Sequence, residues 1–306
     1  MFSIAIHGGA GTILPSQLTS EKEHRYRSGL EAAIRAGEII LKAGGTALDA
    51  VCAAVMNLED NPLFNAGKGS VFNHLGRHEM DASIMCGHDL SAGAVTCVTG
   101  VRNPVQLARL VMEKTEHVML CGAGAEELAQ QFQLPFEAPD YFFDSFRHEQ
   151  WMAIRDTSGT QLDHSGDKKF GTVGAVALDQ HGNVAAATST GGMTNKKYNR
   201  IGDTPVIGSG TYASNKSCAI SCTGHGEFFL RAVVAHDISC LMEYKGYSLD
   251  EACRAVVFDK LLPMGGEGGV IGVDIKGNIS LIFNSEGMYR ASLQEGGLVK
   301  TAIYKE

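Results

Sequence analysis

A short turn motif that occurs twice constrains the fold of this chain most strongly. The pattern D-x-x-G-N is found at residues 179–183 and again at residues 274–278, each time between two short apolar runs. The flanking runs are residues 173–178 and 184–188 for the first copy, and residues 270–273 and 279–283 for the second. Short apolar runs joined by a glycine-containing turn predict β-hairpins. A third hairpin is predicted within residues 81–98, around Gly87-His88-Asp89.

Helical patterns lie on both sides of these strands. A first strand, residues 2–6, is predicted to break at residues 7–11 (HGGAG). A helix should then open near Thr19 or Ser20, with Glu23, three residues past Ser20, completing a capping box. This helix should end at Gly44-Gly45. Further helices are predicted at residues 47–58 (capped by Thr46), from Asn103-Pro104 onward, at 123–132, at 227–244, and after Ser248 with Glu251 as its box partner. This order predicts two sheets packed face to face between helical layers, an α+β fold.

Composition narrows the class of function. The 306 residues carry 26 basic and 34 acidic side chains, a net charge of −8, and 44% apolar residues, enough for a substantial core. This balance disfavours nucleic acid and anionic membranes as partners. The first eleven residues lack the pattern of a secretory signal or a membrane span, so a cytoplasmic protein is expected.

The eight cysteines do not suggest a metal site. Cys218 and Cys222 are the nearest approach to one, but they offer two soft ligands without a nearby second pair. Buried, reduced thiols are expected instead.

The region before Thr172 has a different character. From residue 135 the apolar periodicity fades, and residues 156–169 are almost entirely polar, so a mobile linker is predicted over about residues 135–171. Linkers of this length inside a compact chain tend to be functional or disordered.

The glycine-rich residues 7–11 allow more than one interpretation. A lipase-type oxyanion loop would require a G-x-S-x-G nucleophile, which the sequence lacks, and no phosphate-binding glycine motif is present. A tight turn and a functional loop both remain open. In the second half, polar groups at Thr172, residues 188–192, Arg200, Asp203 and residues 223–227 fall at predicted strand ends, so they can converge on one rim.

Six segments carry a family resemblance: FGTVGAVALD, GNVAAATSTGGMTNK, GRHEMDAS, NPLFNAGKGS, SCTGHGE and FNSEGMYRA. They resemble the plant-type asparaginase and isoaspartyl peptidase family of N-terminal-nucleophile hydrolases, from Ile4 to the C-terminus. The resemblance implies a four-layer αββα sandwich in one domain, residues 1–306. It further implies self-cleavage between Gly171 and Thr172 into an α subunit (1–171) and a β subunit (172–306), assembled as (αβ)₂.

Physical chemistry supports the implied cleavage site. A threonine hydroxyl is a weak nucleophile without a base, and Thr172 inside a chain has no free amine. As a new N-terminus its α-amino group, with a reference pKa of about 7.7–8.0, can act as that base. Gly171 crowds the attacked carbonyl least.

The resemblance also implies roles for other residues, matched motif by motif. Thr190 would hydrogen-bond the nucleophile, Thr223 and Gly224 would stabilise the oxyanion, and Gly226 would line the pocket. Arg200 and Asp203 would hold the α-carboxylate and α-ammonium of the substrate, which selects L-asparagine and β-aspartyl dipeptides.

Several further expectations follow from the same resemblance. Asn65 would assist self-cleavage, and His225 would either tune substrate preference or point to solvent. Catalysis would need no cofactor, whereas a structural sodium ion would be bound by backbone carbonyl groups of Leu58, Glu59, Asn61, Phe64, Ala66 and Lys68.

Two alternative functions are considered. Glycosylasparaginase shares the fold and nucleophile but acts in a secretory or lysosomal setting, against which the missing signal sequence counts. A non-enzymatic glycine-rich binding protein is the alternative if the chain never cuts itself.

Overall fold

The structure, a computed structural model, describes residues 1–14, 16, 18–156 and 171–305. The helices are α1 (Ser20–Lys42), α2 (Ala47–Glu59), α3 (Pro104–Lys114), α4 (Gly122–Gln131), α5 (Pro139–Phe142), α6 (Ser145–Ile154), α7 (Gly226–Ala232), α8 (Val234–Lys245) and α9 (Leu249–Arg254). The strands are β1 (Ser3–Gly11), β2 (Met80–Cys86), β3 (Ala92–Val98), β4 (Met119–Cys121), β5 (Val173–Leu178), β6 (Val184–Thr190), β7 (Thr211–Ala213), β8 (Cys218–Gly224), β9 (Gly268–Asp274), β10 (Ile279–Phe283), β11 (Gly287–Gln294) and β12 (Lys300–Tyr304).

Among the described residues the strands form two sheets. The larger has the order β12-β11-β1-β5-β6-β2-β3-β4 and is antiparallel except between β3 and β4, and the smaller has the order β10-β9-β8-β7. The central strands β1, β5 and β6 pack against β8 and β9 of the smaller sheet. This arrangement confirms the predicted α+β class with two facing sheets.

Three groups of buried side chains hold the layers together. One packs the larger sheet against α1, α2 and α3, a second packs the smaller sheet against α7, α8 and α9, and a third fills the space between the sheets. The third is rich in alanine, including Ala5, Ala186 and Ala219. Small side chains let two sheets approach closely, so polar groups on facing strands come within hydrogen-bond distance.

Local signals in the sequence located most element ends correctly. Thr46 caps α2 by accepting the Asp49 amide at 3.1 Å, and Ser248 forms the predicted capping box with Glu251. At α1 the cap is Thr19, which accepts from the Lys22 amide, and Ser20 is already helical, so the predicted Ser20–Glu23 box is wrong.

Two predicted elements differ from the structure. β1 does not break at His7 but continues to Gly11 with an irregularity between His7 and Ala10, because β11 pairs with it along that stretch. The helix predicted at residues 227–244 is interrupted at Val233, whose φ of 50° is left-handed and separates α7 from α8.

The predicted linker is partly wrong. Residues 139–154 form α5 and α6, which bury Phe142, Arg147 and Ile154, and Trp151 stacks on Phe72 with ring centroids 5.8 Å apart. Aromatic contacts with distant residues order this part, and short helices show little periodicity in sequence. The remainder of the predicted linker, residues 157–170, lies outside the described residues.

The cysteines follow the expectation in part. Cys52, Cys218, Cys222 and Cys253 are buried free thiols, whereas Cys121 is exposed. Burial raises the pKa of Cys218 and Cys222, which keeps both protonated and weak as ligands.

Candidate active site

Thr172 lies directly before β5 and is buried, with 8% of its surface exposed. Antiparallel pairing of β5 with β6 places Val173 opposite Ser189, which brings Thr190 beside Thr172. The Thr172 hydroxyl donates to Thr190 Oγ1 at 3.1 Å. The strand pairing thus creates a contact between threonines that are 18 residues apart in sequence.

The Thr190 hydroxyl also reaches the peptide bond before Thr172. It donates to the carbonyl oxygen of Gly171 at 3.0 Å and accepts from the Gly192 amide at 3.0 Å. Nucleophile and carbonyl are therefore joined through one hydroxyl group, which can polarise the carbonyl and receive the proton that the nucleophile loses.

Gly171 sits against Asn65, and a Cβ atom at position 171 would overlap the Asn65 Cβ. Asn65 is buried; its amide nitrogen donates to the Gly192 carbonyl at 2.7 Å, and its Oδ1 accepts from the Val71 amide at 3.0 Å. A side chain at position 171 would thus displace Asn65, which bonds to the loops that contain Val71 and Gly192.

Thr223 and Gly224 end β8, on the smaller sheet. Thr223 Oγ1 accepts from the Ala10 amide at 3.3 Å, and Gly224 has a φ of 154° with no room for a Cβ beside the Glu267 carbonyl. On β1, His7 pairs with Gly174 and Ala10 lies further toward the Thr172 end. Thr172 and Thr223 therefore lie toward the same end of the two facing sheets.

Arg200 and Asp203 meet at Gly226. A Cβ atom there would lie 2.7 Å from Arg200 Nη2 and 2.9 Å from Asp203 Oδ1, so glycine keeps both charged groups accessible. Asp203 is 4% exposed, and its Oδ2 has no hydrogen-bond partner within the described ranges. Burial raises the pKa of Asp203 to about 7. An unpartnered buried carboxylate oxygen is an acceptor that a ligand ammonium group can satisfy.

Glu227 was missed by sequence reasoning, although it ends the motif SCTGHGE. It forms a bidentate pair with Arg200, with Nε and Nη2 each 2.8 Å from a carboxylate oxygen. His225 Nε2 lies 3.2 Å from Glu227 Oε2, and its ring packs edge-on against Phe228. Although burial opposes it, hydrogen bonds from His225 and Arg200 hold the pKa of Glu227 well below its usual range. Glu227 thus orients the guanidinium group.

The predicted cation ligands lie at the end of α2 and in the loop that follows it. Gly67 has a φ of 51° and lies against the Glu59 carbonyl, and a Cβ at Gly69 would overlap the Phe64 carbonyl oxygen. The Lys68 ammonium lies 4.9 Å above the Tyr141 ring, so this side chain turns to the protein surface. Carbonyl oxygens are hard ligands, and the two glycines leave space beside them, so this donor set fits a hard cation.

Sequence comparison places the chain in a family. The profile of the family described as asparaginase matches residues 1–303, so the chain belongs to the asparaginase family of threonine-type N-terminal-nucleophile hydrolases. The resemblance noted from its motifs is confirmed.

Among curated relatives, the chain is 53% identical to the isoaspartyl peptidase of Escherichia coli strain K12 over 308 residues, which covers 99% of this chain and 96% of that protein. It is 45% identical to a putative isoaspartyl peptidase/L-asparaginase of Dictyostelium discoideum (99% and 98% covered) and 43% identical to the isoaspartyl peptidase/L-asparaginase of Xenopus laevis (96% and 93% covered). None of the described helices is both long and apolar enough to cross a membrane.

Proposed function

We propose that this chain is a self-processing amidohydrolase that releases L-aspartate from β-aspartyl dipeptides and L-asparagine. The names of its relatives support the substrate class. The observation that carries the proposal is the hydrogen-bonded row from Thr172 through Thr190 to the Gly171 carbonyl. This row aligns a hydroxyl nucleophile, a proton path and an electrophile.

Self-cleavage begins when Thr172 Oγ1 attacks the Gly171 carbonyl carbon. The hydroxyl proton passes toward Thr190, whose own proton moves onto the carbonyl oxygen as negative charge develops there. The carbon–nitrogen bond then breaks, the nitrogen takes a proton, and an ester links Gly171 to Thr172. Water opens this ester and leaves a carboxylate at Gly171, the end of the α subunit, and a free amine at Thr172, the start of the β subunit.

Substrate hydrolysis uses the new amine. It removes the Thr172 hydroxyl proton, the oxygen attacks the β-carbonyl group of the substrate, and the same proton leaves with ammonia or the departing amino acid. Thr223 and the Gly224 backbone are proposed to donate to the oxyanion, where each donor is worth about 10²–10³ in rate. Water then hydrolyses the aspartyl ester and regenerates Thr172.

Asp203 and Arg200 are proposed to select the substrate. The unpartnered Asp203 oxygen accepts from the α-ammonium group, and Arg200, oriented by Glu227, binds the α-carboxylate. An ordinary α-peptide has one of these two groups tied up in its backbone, so the site favours a free aspartyl zwitterion. Asn65 is proposed to assist self-cleavage by holding the loop against Gly171.

Further properties of the chain are also proposed. Carbonyl groups of Leu58, Glu59, Asn61, Phe64, Ala66 and Lys68 would hold a structural sodium ion, while the reaction itself would use no cofactor. Two cleaved protomers would assemble as (αβ)₂, and the enzyme would act in the cytoplasm.

A denaturing gel combined with an aspartate assay tests the central proposal. Wild type should give two bands, whereas Thr172→Ala should give one uncut band of 32.6 kDa and no aspartate from β-aspartyl-leucine or asparagine. Thr172→Ser, which keeps a hydroxyl, is the matched control and should still cut. Aspartate release by Thr172→Ala would refute the mechanism, and release only from a glycosyl-asparagine would favour the glycosylasparaginase alternative.

A further inference from the structure

His7 connects the first residue of the proposed β subunit to the smaller sheet. It is fully buried on β1, its Nδ1 lies 3.0 Å from the Thr172 carbonyl oxygen, and its Nε2 lies 2.9 Å from Ser221 Oγ on β8. His7 has no role in the mechanism above. It nevertheless contacts the nucleophile residue directly through the backbone.

A row of buried hydroxyl groups continues from Ser221. Ser221 Oγ is 2.7 Å from Thr188 Oγ1, Thr188 bonds to Thr211, and Ser83 Oγ lies 2.7 Å from Thr211 Oγ1. All four side chains are completely buried. They alternate between the two facing sheets, so the row crosses the space between the sheets repeatedly.

Hydrogen-bond chemistry fixes the direction at the His7 end of this row. A carbonyl oxygen can only accept, so His7 Nδ1 must carry a proton and donate to Thr172. A neutral imidazole then accepts at Nε2, which obliges Ser221 to donate there. Each hydroxyl has one proton, so in this arrangement Thr188 donates to Ser221 and Thr211 donates to Thr188. Two carbonyl oxygens compete for protons of the row: that of Gly210, 3.4 Å from Thr188 Oγ1, and that of Thr204, 2.6 Å from Ser83 Oγ. Burial lowers the pKa of His7 to about 3, although the bond to Thr172 opposes this, so the ring is neutral at working pH.

The glycine two residues after Thr172 makes room for this contact. A Cβ atom at Gly174 would lie 2.5 Å from His7 Nε2 and would overlap Ser221 Oγ. The second glycine of the sequence G-T-V-G therefore permits the His7–Ser221 bond. Residues 7–11 and the G-T-V-G motif, which lie far apart in sequence, therefore contact each other through His7 and Gly174.

We propose that His7 is a positioning residue for the nucleophile: its Nδ1 donates to the Thr172 carbonyl, and the bond from Ser221 to Nε2 holds the ring in the orientation that makes this donation. This proposal rests on the proposed role of Thr172 as the N-terminal nucleophile. Once the chain is cut, Thr172 is attached covalently only through its carbonyl group, on its C-terminal side. Its hydroxyl and amine then project from the peptide plane that His7 holds, and misplacement of a reacting group by about 1 Å can cost roughly 10² in rate.

Ser221→Ala tests the row with the smallest change. Without the Ser221 hydroxyl, Nε2 loses the donor that fixes the ring, so the His7 ring can turn out of the plane in which Nδ1 donates to the Thr172 carbonyl. We expect kcat to fall about 10- to 100-fold while KM for β-aspartyl-leucine changes less than about 2-fold, because Arg200 and Asp203 are untouched. His7→Asn, which keeps a donor near the Nδ1 position, should retain more activity than His7→Phe.

Ser239→Ala is the matched control. Ser239 is a buried serine whose hydroxyl bonds to Ser217 at 2.6 Å, on the far side of the smaller sheet from Thr172. It should lose stability as Ser221→Ala does but keep wild-type kcat. Equal kcat values for the two variants would refute the proposal, because they would show that loss of any buried hydroxyl has the same effect.

Nitrogen NMR on histidine-labelled protein provides a readout independent of turnover. The His7 signals should show a proton on Nδ1 in wild type and in Ser221→Ala, but in the variant the Nε2 signal should shift because it no longer accepts from Ser221, and the Nδ1 signal should broaden as the ring becomes less well held. A proton on Nε2 in wild type would overturn the proposal.

If Thr172→Ala remained active, the proposed function itself would fail, whereas an inactive Thr172→Ala together with a fully active Ser221→Ala would refute only the positioning role of His7.

Discussion

Buried aspartates occur in two contrasting settings in this molecule. Asp179, in the first D-x-x-G-N turn, accepts from the amides of His181 and Asn183 through Oδ1 and from the Ala47 amide at the start of α2 through Oδ2. Asp203, beside Gly226 and Arg200, is also buried but leaves Oδ2 without a partner in the part of the chain that the structure describes. Of these two aspartates, the one that stabilises the fold is saturated and the one proposed to bind a ligand is not. Asp81 is also buried with an unpartnered Oδ2 among the described residues, but its charge is balanced by the Lys196 ammonium at 4.0 Å.

This difference teaches how to separate structural from functional polar groups. A buried polar atom without a partner costs about 1–3 kcal/mol, and more if it is charged. Such an unfavourable group is retained at a position where a bound ligand can supply the missing hydrogen bond. Three experiments test this contrast between Asp179 and Asp203.

The largest effect is expected for Asp203→Asn in catalysis. Replacing the carboxylate by a neutral amide removes the charge that binds the α-ammonium group, and kcat/KM for asparagine should fall about 10³-fold. Asp179→Asn is the control and should leave kcat/KM within about 3-fold. An Asp203→Asn variant with near-normal kcat/KM would exclude Asp203 as the ammonium ligand.

A smaller effect is expected for Asp179→Ala in stability. The variant loses two turn hydrogen bonds and the contact with the first amide of α2, and we expect the free energy of unfolding to fall by about 2–4 kcal/mol. Asp274→Ala should cost less, because the three side-chain hydrogen bonds of Asp274 in the described residues, to Lys276 and Asn278, all lie within its own turn and none reaches a helix. Urea unfolding of both variants measures the difference, and equal losses would contradict the importance of the α2 contact.

The smallest effect is a gain of stability in Asp203→Asn. The Asp203 pKa is about 7 in the folded chain and 3.8 as the ordinary reference, so the folded state holds a proton between these values that the unfolded state has lost. The wild-type free energy of unfolding therefore falls as pH rises from about 4 to about 7, whereas the neutral Asn variant avoids this loss.

At pH 8 the Asp203→Asn variant should therefore be more stable than wild type, on the order of 1–3 kcal/mol, and the gain should vanish near pH 4. Thermal unfolding at several pH values measures it. A gain independent of pH would mean that a cause other than the buried charge is responsible.

Much of the fold was predictable from local signals. Thr46 and Ser248 were identified as helix caps because capping depends on residues three apart, and both D-x-x-G-N hairpins were identified because their turns are local. The helices α5 and α6 were missed because contacts such as Trp151 with Phe72 order them, and those contacts join residues about 80 positions apart. β1 was predicted too short because its pairing with β11 resumes at Ala10 and Gly11, beyond the irregularity that follows His7.

The candidate site shows the same limit. Thr172, Thr190, Arg200 and Asp203 were identified by their motifs, and the structure brings the first pair and the second pair together. Their roles and the division at Gly171 stay predictions. Glu227 and His7 were missed as partners, although both lie in motifs that had been singled out, because a motif does not state which distant group its side chain meets.

The amino-acid sequence by itself determined which side chains are available for chemistry and where strands and helices begin, because turns, caps and motif spacings act over a few residues. Only the tertiary structure decided which polar groups are satisfied. Hydrogen bonds between facing sheets join residues such as His7 and Ser221, more than 200 positions apart, and the close approach of two alanine-rich sheets sets their distances. The bond from Asp179 to the start of α2 and the orphaned oxygen of Asp203 likewise depend on tertiary contacts, since burial removes the water that would otherwise hydrogen-bond to both carboxylates.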